Sequence, residues 1–287
     1  MAARKQQTQS WPNKEGPVKH WTVCLIVSLG MFANMLAAQD QLTGYHSVAC
    51  IKIQPGKGAE YRQFVQDFSS KVMQASVDNG DLAAAYLLRT VIPSGQDARC
   101  DYVAVSVYKG APTAPTGIAG LTKILQRAGL SISAADYIAK RGTMTQLVSA
   151  ELWRNALQVG SLEKGDYLYV NFMKVHNATD WINLEQKIWK PMAEAWVKDG
   201  SMHGWNVNQL VLPAGTDLKY QGVSIDVFPS WDAAMKAQPV ADTFKKLHPG
   251  MSLDATFDNL AKARDLARRE LLVVEEKVAM KMTASQR

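Results

Sequence analysis

The 287-residue chain reads as an α+β protein made of two tandem ferredoxin-like β-α-β-β-α units packed sheet to sheet. An internal repeat, a shared order of elements and strict strand alternation predict this. Residues 58–108 align without a gap to 178–228, with ten identities in 51 positions, where average composition would give about three. The sharpest stretch is VIPSGQDARCDYVAVSV against VLPAGTDLKYQGVSIDV. Two long copies mean duplicated domains, because a solenoid stacks three or more shorter units.

Each unit opens with a β-rich run, Tyr45–Ile53 and Tyr167–Val175. EYRQFVQDFSSKVMQASV and DWINLEQKIWKPMAEAWV then carry apolar residues at helical spacing. They end at Asn79-Gly80 and Asp199-Gly200, where glycine suits a helix C-cap. Pro191 inside the second pattern predicts a bend or break. Strands follow at Ala84–Ile92 and Gly204–Leu212, then turns built on Pro-x-Gly-x-Asp. Third strands alternate as Val103/Val105/Val107 and Val223/Ile225/Val227. Closing helices are expected at Ile118–Ala128 and Ala134–Gln158, and at Trp231–Lys236 and Leu253–Met280, with GAPTAPTG (110–117) as a loop. A single unit leaves one sheet face uncovered, and the duplication supplies its partner. The domain limits are set at 39–160 and 161–287.

Residues 1–38 have a targeting pattern. Arg4, Lys5, Lys14 and Lys19 against Glu15 give +3 of the formal +6. The uncharged run WTVCLIVSLGMFANMLAA follows, ending in Ala37-Ala38. This is the order of a secretory signal peptide, so the expectation is export to the periplasm or beyond. The alternative is an uncleaved membrane anchor, the one route to a membrane that the sequence offers. The remaining +3 is too small, and too scattered, for a nucleic-acid partner. Cys50 and Cys100 remain after Cys24 is set aside with the leader. The end of the first strand should neighbour the start of the third. Cys50 and Cys100 could then form a disulfide in an oxidising compartment if their Cα atoms come within about 7 Å. On opposite pleat faces they would stay free thiols.

The pattern PGKGAEYRQF after the first strand, with P-x-G-x-D before the third, resembles the dimeric α/β-barrel superfamily of antibiotic-biosynthesis-monooxygenase-like and EthD-like proteins. The second copy's IWKPMAEAWVKDGSMHGWNVNQLVLPAGTDLKYQGVSIDVF is similar to a recurring stretch of exported bacterial proteins. The resemblance covers most of 44–235 and implies an intramolecular dimeric α/β barrel. It does not imply one activity, since such barrels include cofactorless oxygenases, haem enzymes and lyases.

Alternation sorts the sheet faces. The uniformly aliphatic Val103, Val105, Val107, Val223, Ile225 and Val227 are expected to meet the helices. The opposite face would then line an interior: Ser106 with Tyr102, Ala104 and Tyr108 in copy one, and Asp226 with Gly222, Ser224 and Phe228 in copy two. First strands would add Tyr45, Ser47 and Ala49, and Tyr167, Tyr169 and Asn171; second strands would add Tyr86, Leu88, Asn206 and Asn208. On this reading Tyr86, Ser106, Tyr169, Asn171, Asn206, Asn208 and Asp226 are ligand-binding candidates, and Asp226, with its carboxyl raised by burial, is a candidate base. The other reading is a structural seam with Asp226 hydrogen-bonded to an asparagine.

Other features decide little. His46, His176, His203 and His248 share no metal-ligand spacing, so no metal site is expected and no cofactor is specified. Trp181, Trp189 and Trp196 fall near one helix face and read as packing. There is no G-x-S-x-G elbow, P-loop or G-x-G-x-x-G. Three functions stay open: a module binding a small, largely apolar or aromatic ligand between the repeats, a cofactor-independent or haem-dependent barrel enzyme acting on an aromatic or quinone-like substrate, and a structural protein with a filled barrel.

Overall fold

A computed structural model describes residues 44–112 and 117–280. The expected signal peptide at 1–38 lies outside them, as do residues 113–116 of the GAPTAPTG loop. Unit one runs β1 (Tyr45–Ile53), α1 (Gly58–Phe64), α2 (Ser70–Asp78), β2 (Ala84–Ile92), β3 (Tyr102–Val107), α3 (Gly117–Arg127), α4 (Ala134–Met144) and β4 (Thr145–Gly160). Unit two runs β5 (Tyr167–Val175), α5 (Ala178–Leu184), α6 (Lys190–Lys198), β6 (Gly204–Leu212), β7 (Gly222–Phe228), α7 (Trp231–Met235), α8 (Val240–Leu247), α9 (Leu253–Ala263) and β8 (Arg264–Ala279).

The expected closing helices Ala134–Gln158 and Leu253–Met280 are each half strand. LVSAELWRNALQ and DLARREL are composed of good helix formers, so local propensity favours a helix. Tertiary pairing overrides it: β4 lies between β1 and β6, and β8 between β5 and β2, all antiparallel. Each 16-residue strand therefore leaves its own unit and crosses to the other. The result is one closed barrel, β1-β3-β2-β8-β5-β7-β6-β4, with no free edge. This is the architecture of a dimeric α/β barrel carried by one chain, as the resemblance implied.

In both copies a π-helical turn joins the two helices after the first strand, Val65–Ser69 and Glu185–Trp189. The chain is not broken at Pro191, since 178–198 stays helical throughout. The π-turn just before it recurs in copy one, where no proline stands at that place. Widening the helix by one residue per turn shifts the face presented to the sheet. Trp181 and Trp196 are buried in the packing between helices and sheet, as their spacing predicted, and Trp189 packs on Phe257.

The two copies fill the same space differently. In unit one, Tyr61 on α1 meets Tyr102 on β3 edge to face at 5.0 Å. At the matching positions, unit two sets the larger Trp181 against Gly222. A Cβ on Gly222 would lie 2.2 Å from the indole Cη2. Where the chain passes between units, Gly160 (φ +67°) and Gly204 let backbones touch; a Cβ on Gly160 would lie 2.1 Å from the His203 carbonyl oxygen. Cys50 and Cys100 form a disulfide, Cα–Cα 5.2 Å, between β1 and the residue two before β3.

Candidate functional site

Closing the sheet buries both faces, and this reverses most of the face assignment made from alternation. Val103, Val105, Val107, Val223, Ile225 and Val227 point into the barrel and line a cavity of about 400 Å³. The helix-facing side carries Tyr102, Ala104, Ser106, Ser224 and Asp226; Tyr102 meets Tyr61 of α1, whereas Ser224 and Asp226 accept from Asn171 of β5. On β1 and β5 the cavity is likewise met by His46, Val48, Leu168, Val170 and Phe172, not by Tyr45, Ser47, Ala49, Tyr167, Tyr169 or Asn171. A uniform aliphatic row suits two sheets facing each other across a barrel, whereas the outer face must accommodate bulky helix residues such as Tyr61 and Trp181. On β2 and β6 the assignment agrees with the structure: Tyr86, Leu88, Asn206 and Asn208 do line the cavity.

Ser106, Tyr169, Asn171 and Asp226 therefore lie outside it, and three of them belong to a different arrangement. The Asn171 amide donates to Asp226 Oδ2 at 2.9 Å, and Arg269 Nε donates to Asn171 Oδ1. The Arg269 guanidinium also sits 5.3 Å from the centroid of the Tyr169 ring. Burial raises the Asp226 carboxyl above the ordinary range, opposed by Asn171 and Arg269. Nearby, Glu185 of the π-turn accepts the Trp181 indole N–H at 2.8 Å. The counterparts in unit one are Ser106, Ala49 and Val65, so this polar network exists in one copy only.

Glu185 makes the network pH-sensitive. Burial pushes its carboxyl up to about 7, against the opposing Trp181 hydrogen bond and Arg264, while Asp226 adds a further rise. The folded protein holds a proton that the unfolded chain releases above about pH 4.5. Stability from this group is thus full below pH 4.5, falls as pH rises to about 7, and is flat above. Glu185→Gln, whose amide oxygen can still accept from Trp181, should remove that slope and raise stability at pH 8 by up to about 3 kcal/mol. Urea unfolding at pH 4.5 and pH 8 checks it; an unchanged difference between the two pH values would refute the assignment.

The cavity is apolar along its length and polar at its ends. Towards the end where β1 and β5 begin, its lining includes His46, Tyr86, Gln158 and Asn206. Burial lowers His46 to about 4, so its imidazole is neutral at pH 7. Burial, and then Glu163, raise the Tyr86 phenol. Along one wall the Asn155 amide donates to Asn208 (3.3 Å), which donates to Asn206 (2.6 Å).

The opposite end holds Glu151 and Glu270, which occupy equivalent places in the two copies, on β4 and β8. Glu151 is satisfied by neutral donors, Tyr220 Oη at 2.5 Å and Trp153 Nε1 at 3.0 Å. Glu270, 1% exposed, faces cations instead: Arg268 Nε at 2.7 Å and Arg99 Nε at 3.8 Å. Arg99 also packs over the Phe172 ring at 4.9 Å. Alternation did not single out these residues. The one available signal was the matched Glu-Leu pairs, 151–152 and 270–271, hidden by reading both segments as helix.

Among the described residues no cluster of His, Cys, Asp and Glu is arranged to hold a metal ion. Of the groups a haem would use, the described lining offers one histidine, His46, and its cations Arg99 and Lys277 face Glu270 and Glu163.

No family model matches the chain, and no curated protein sequence matches it. Among solved structures, it is similar to a candidate monooxygenase from Lactobacillus acidophilus at 13% identity, over 83% of this chain and 96% of that one, with a TM-score of 0.48. A candidate monooxygenase from Fusobacterium nucleatum is similar at 10% identity, over 82% and 94%, with a TM-score of 0.49. An anthrone oxidase-like protein is similar at 12% identity, over 86% and 98%, with a TM-score of 0.47. Such likenesses concern folding pattern and transfer no residue role.

Proposed function

We propose that this chain is an exported binding protein that holds one small, largely apolar molecule inside its barrel. The observation that carries the reading is the cavity itself. A barrel of eight strands is just wide enough for side chains to fill or for one small ligand. Here valine, leucine and isoleucine leave about 400 Å³ open, within the roughly 300–1,000 Å³ of small-molecule sites. Bulkier side chains at the same positions would have closed it. An apolar wall with few polar groups gathered at its ends is the usual construction of such a site. Export is supported by the basic and apolar leader and by the paired Cys50 and Cys100.

The neutral apolar fluorophore N-phenyl-1-naphthylamine tests the reading. Its emission should rise and saturate at one molecule per chain when titrated into the purified protein. No rise, or a rise that appears only after unfolding, would exclude an accessible apolar interior.

A further inference from the structure

We infer that the barrel holds its ligand by an uncharged carbonyl oxygen, set among Tyr86, Asn206 and His46 at the end where β1 and β5 begin. This deepens, and rests on, the ligand-binding reading above. Tyr86 and Asn206 hold matching places in the two copies, each the third residue of its strand, on β2 and β6. Those strands lie four steps apart in the closed ring of eight, so the two side chains enter the cavity from facing walls. His46, the second residue of β1, enters midway along one arc between them, two strands from each. On the other arc, β5 and β7 present Leu168, Ile225 and Val227. Copy two has Leu168 where copy one has His46, so the polar side of this end belongs to β1.

These groups are free to bind. Among the described residues, the Tyr86 hydroxyl, both His46 ring nitrogens and Asn206 Nδ2 have no protein partner, yet each keeps open surface. The carboxylates at the opposite end differ: Tyr220 and Trp153 occupy Glu151, and both Glu270 oxygens are sealed. A few open polar groups in an apolar wall are what orient a small ligand. The amide chain from Asn155 through Asn208 gives Asn206 its direction, since its oxygen accepts from Asn208 and its N–H groups are left to face the cavity. Asn206 and Tyr86 thus offer donors from facing walls, and His46 adds a third. A carbonyl oxygen has two lone pairs and can accept from two of them. Charge points the same way. Lys277 and Glu163, the ionic groups at this end, pair with each other at 2.7 Å. A ligand carboxylate or ammonium would give up its water and find no free counter-charge. The apolar body then runs along the valine wall towards Val103 and Val223.

The test is displacement of N-phenyl-1-naphthylamine by 2-nonanone, nonanoate and nonylamine at pH 7, three molecules of one chain length. With the wild-type protein, the ketone should displace the probe at about tenfold lower concentration than either charged homologue. Tyr86→Phe keeps the ring and removes the O–H. The ketone should then weaken about fivefold, while affinity for the probe itself stays within about twofold of wild type. Asn206→Asp keeps the oxygen that accepts from Asn208 and replaces the open N–H groups by a carboxylate oxygen, so nonylamine should gain about tenfold relative to the ketone. Circular dichroism and probe binding confirm that each variant is folded, and a reversal of preference is a readout that general loosening would not produce. A ketone no better than its charged homologues, or held equally well by wild type and both variants, would overturn the inference while leaving the cavity reading intact. A wild-type protein that does not bind the probe at all would overturn both.

Discussion

Replacing Gly222 by alanine is expected to destabilise the protein by about 3–5 kcal/mol, a large effect for one methyl group. The added Cβ would sit 2.2 and 2.4 Å from two carbons of the Trp181 ring. Trp181 is completely buried and tied by its indole N–H to Glu185, so it cannot swing aside without breaking that bond. Overpacking ordinarily costs about 1–3 kcal/mol, and a locked ring places this site at or above the top of that range. Thermal unfolding should fall by roughly 10 °C for a chain of this size. Unit one suggests the remedy, since it pairs a smaller ring, Tyr61, with a larger β3 residue, Tyr102. Trp181→Tyr should therefore recover part of the loss in the Gly222→Ala background, although alone it leaves a void. Gly142→Ala is the contrasting control. It lies within α4 with nothing near its Cβ position, and should stabilise by up to about 1 kcal/mol. Melting curves of the four variants check both signs; a Gly222→Ala protein as stable as wild type would contradict the packing described.

Filling the cavity should abolish binding without unfolding the protein. Ile225→Trp projects an indole from β7 into open space, so its cost in stability should stay near 1 kcal/mol, below that of an ordinary core insertion. Occupied by its own side chain, the barrel should lose N-phenyl-1-naphthylamine affinity by about a hundredfold, on the order of 3 kcal/mol. Asp226→Asn, one residue along the same strand, points to the other face. It should leave the probe affinity unchanged. If Asp226→Asn weakened binding while Ile225→Trp did not, the ligand would lie between sheet and helices and the interior reading would fail.

These neighbouring residues show what could be read from the chain alone. The ranges of β1, β2, β5 and β6 were legible because alternation and flanking turns are local signals. Cys50 and Cys100 came together because strand order fixed their proximity. The orientation of Val105 and Ile225 was not legible. Period-two alternation separates the faces but does not say which one meets helices when a closed sheet buries both. Tyr86, Asn206 and Asn208 were assigned to the cavity, whereas Asp226, Asn171, Tyr169 and Ser106 were placed there through that inverted parity. Glu151 and Glu270 were missed for a separate reason. They stand in strands whose residues favour a helix, and which pair along one half with their own unit and along the other with its partner. Such long-range pairing has no local signature.

The most direct test of a ligand-holding barrel is methyl NMR of the isoleucines during titration with N-phenyl-1-naphthylamine. Ile225 lines the cavity, while Ile188 is packed in the core between helices and sheet. With the ligand inside the barrel, the Ile225 methyl resonance should move and saturate with one bound probe while Ile188 stays in place. Movement of Ile188 with Ile225 unchanged would put the ligand outside the barrel and contradict that placement.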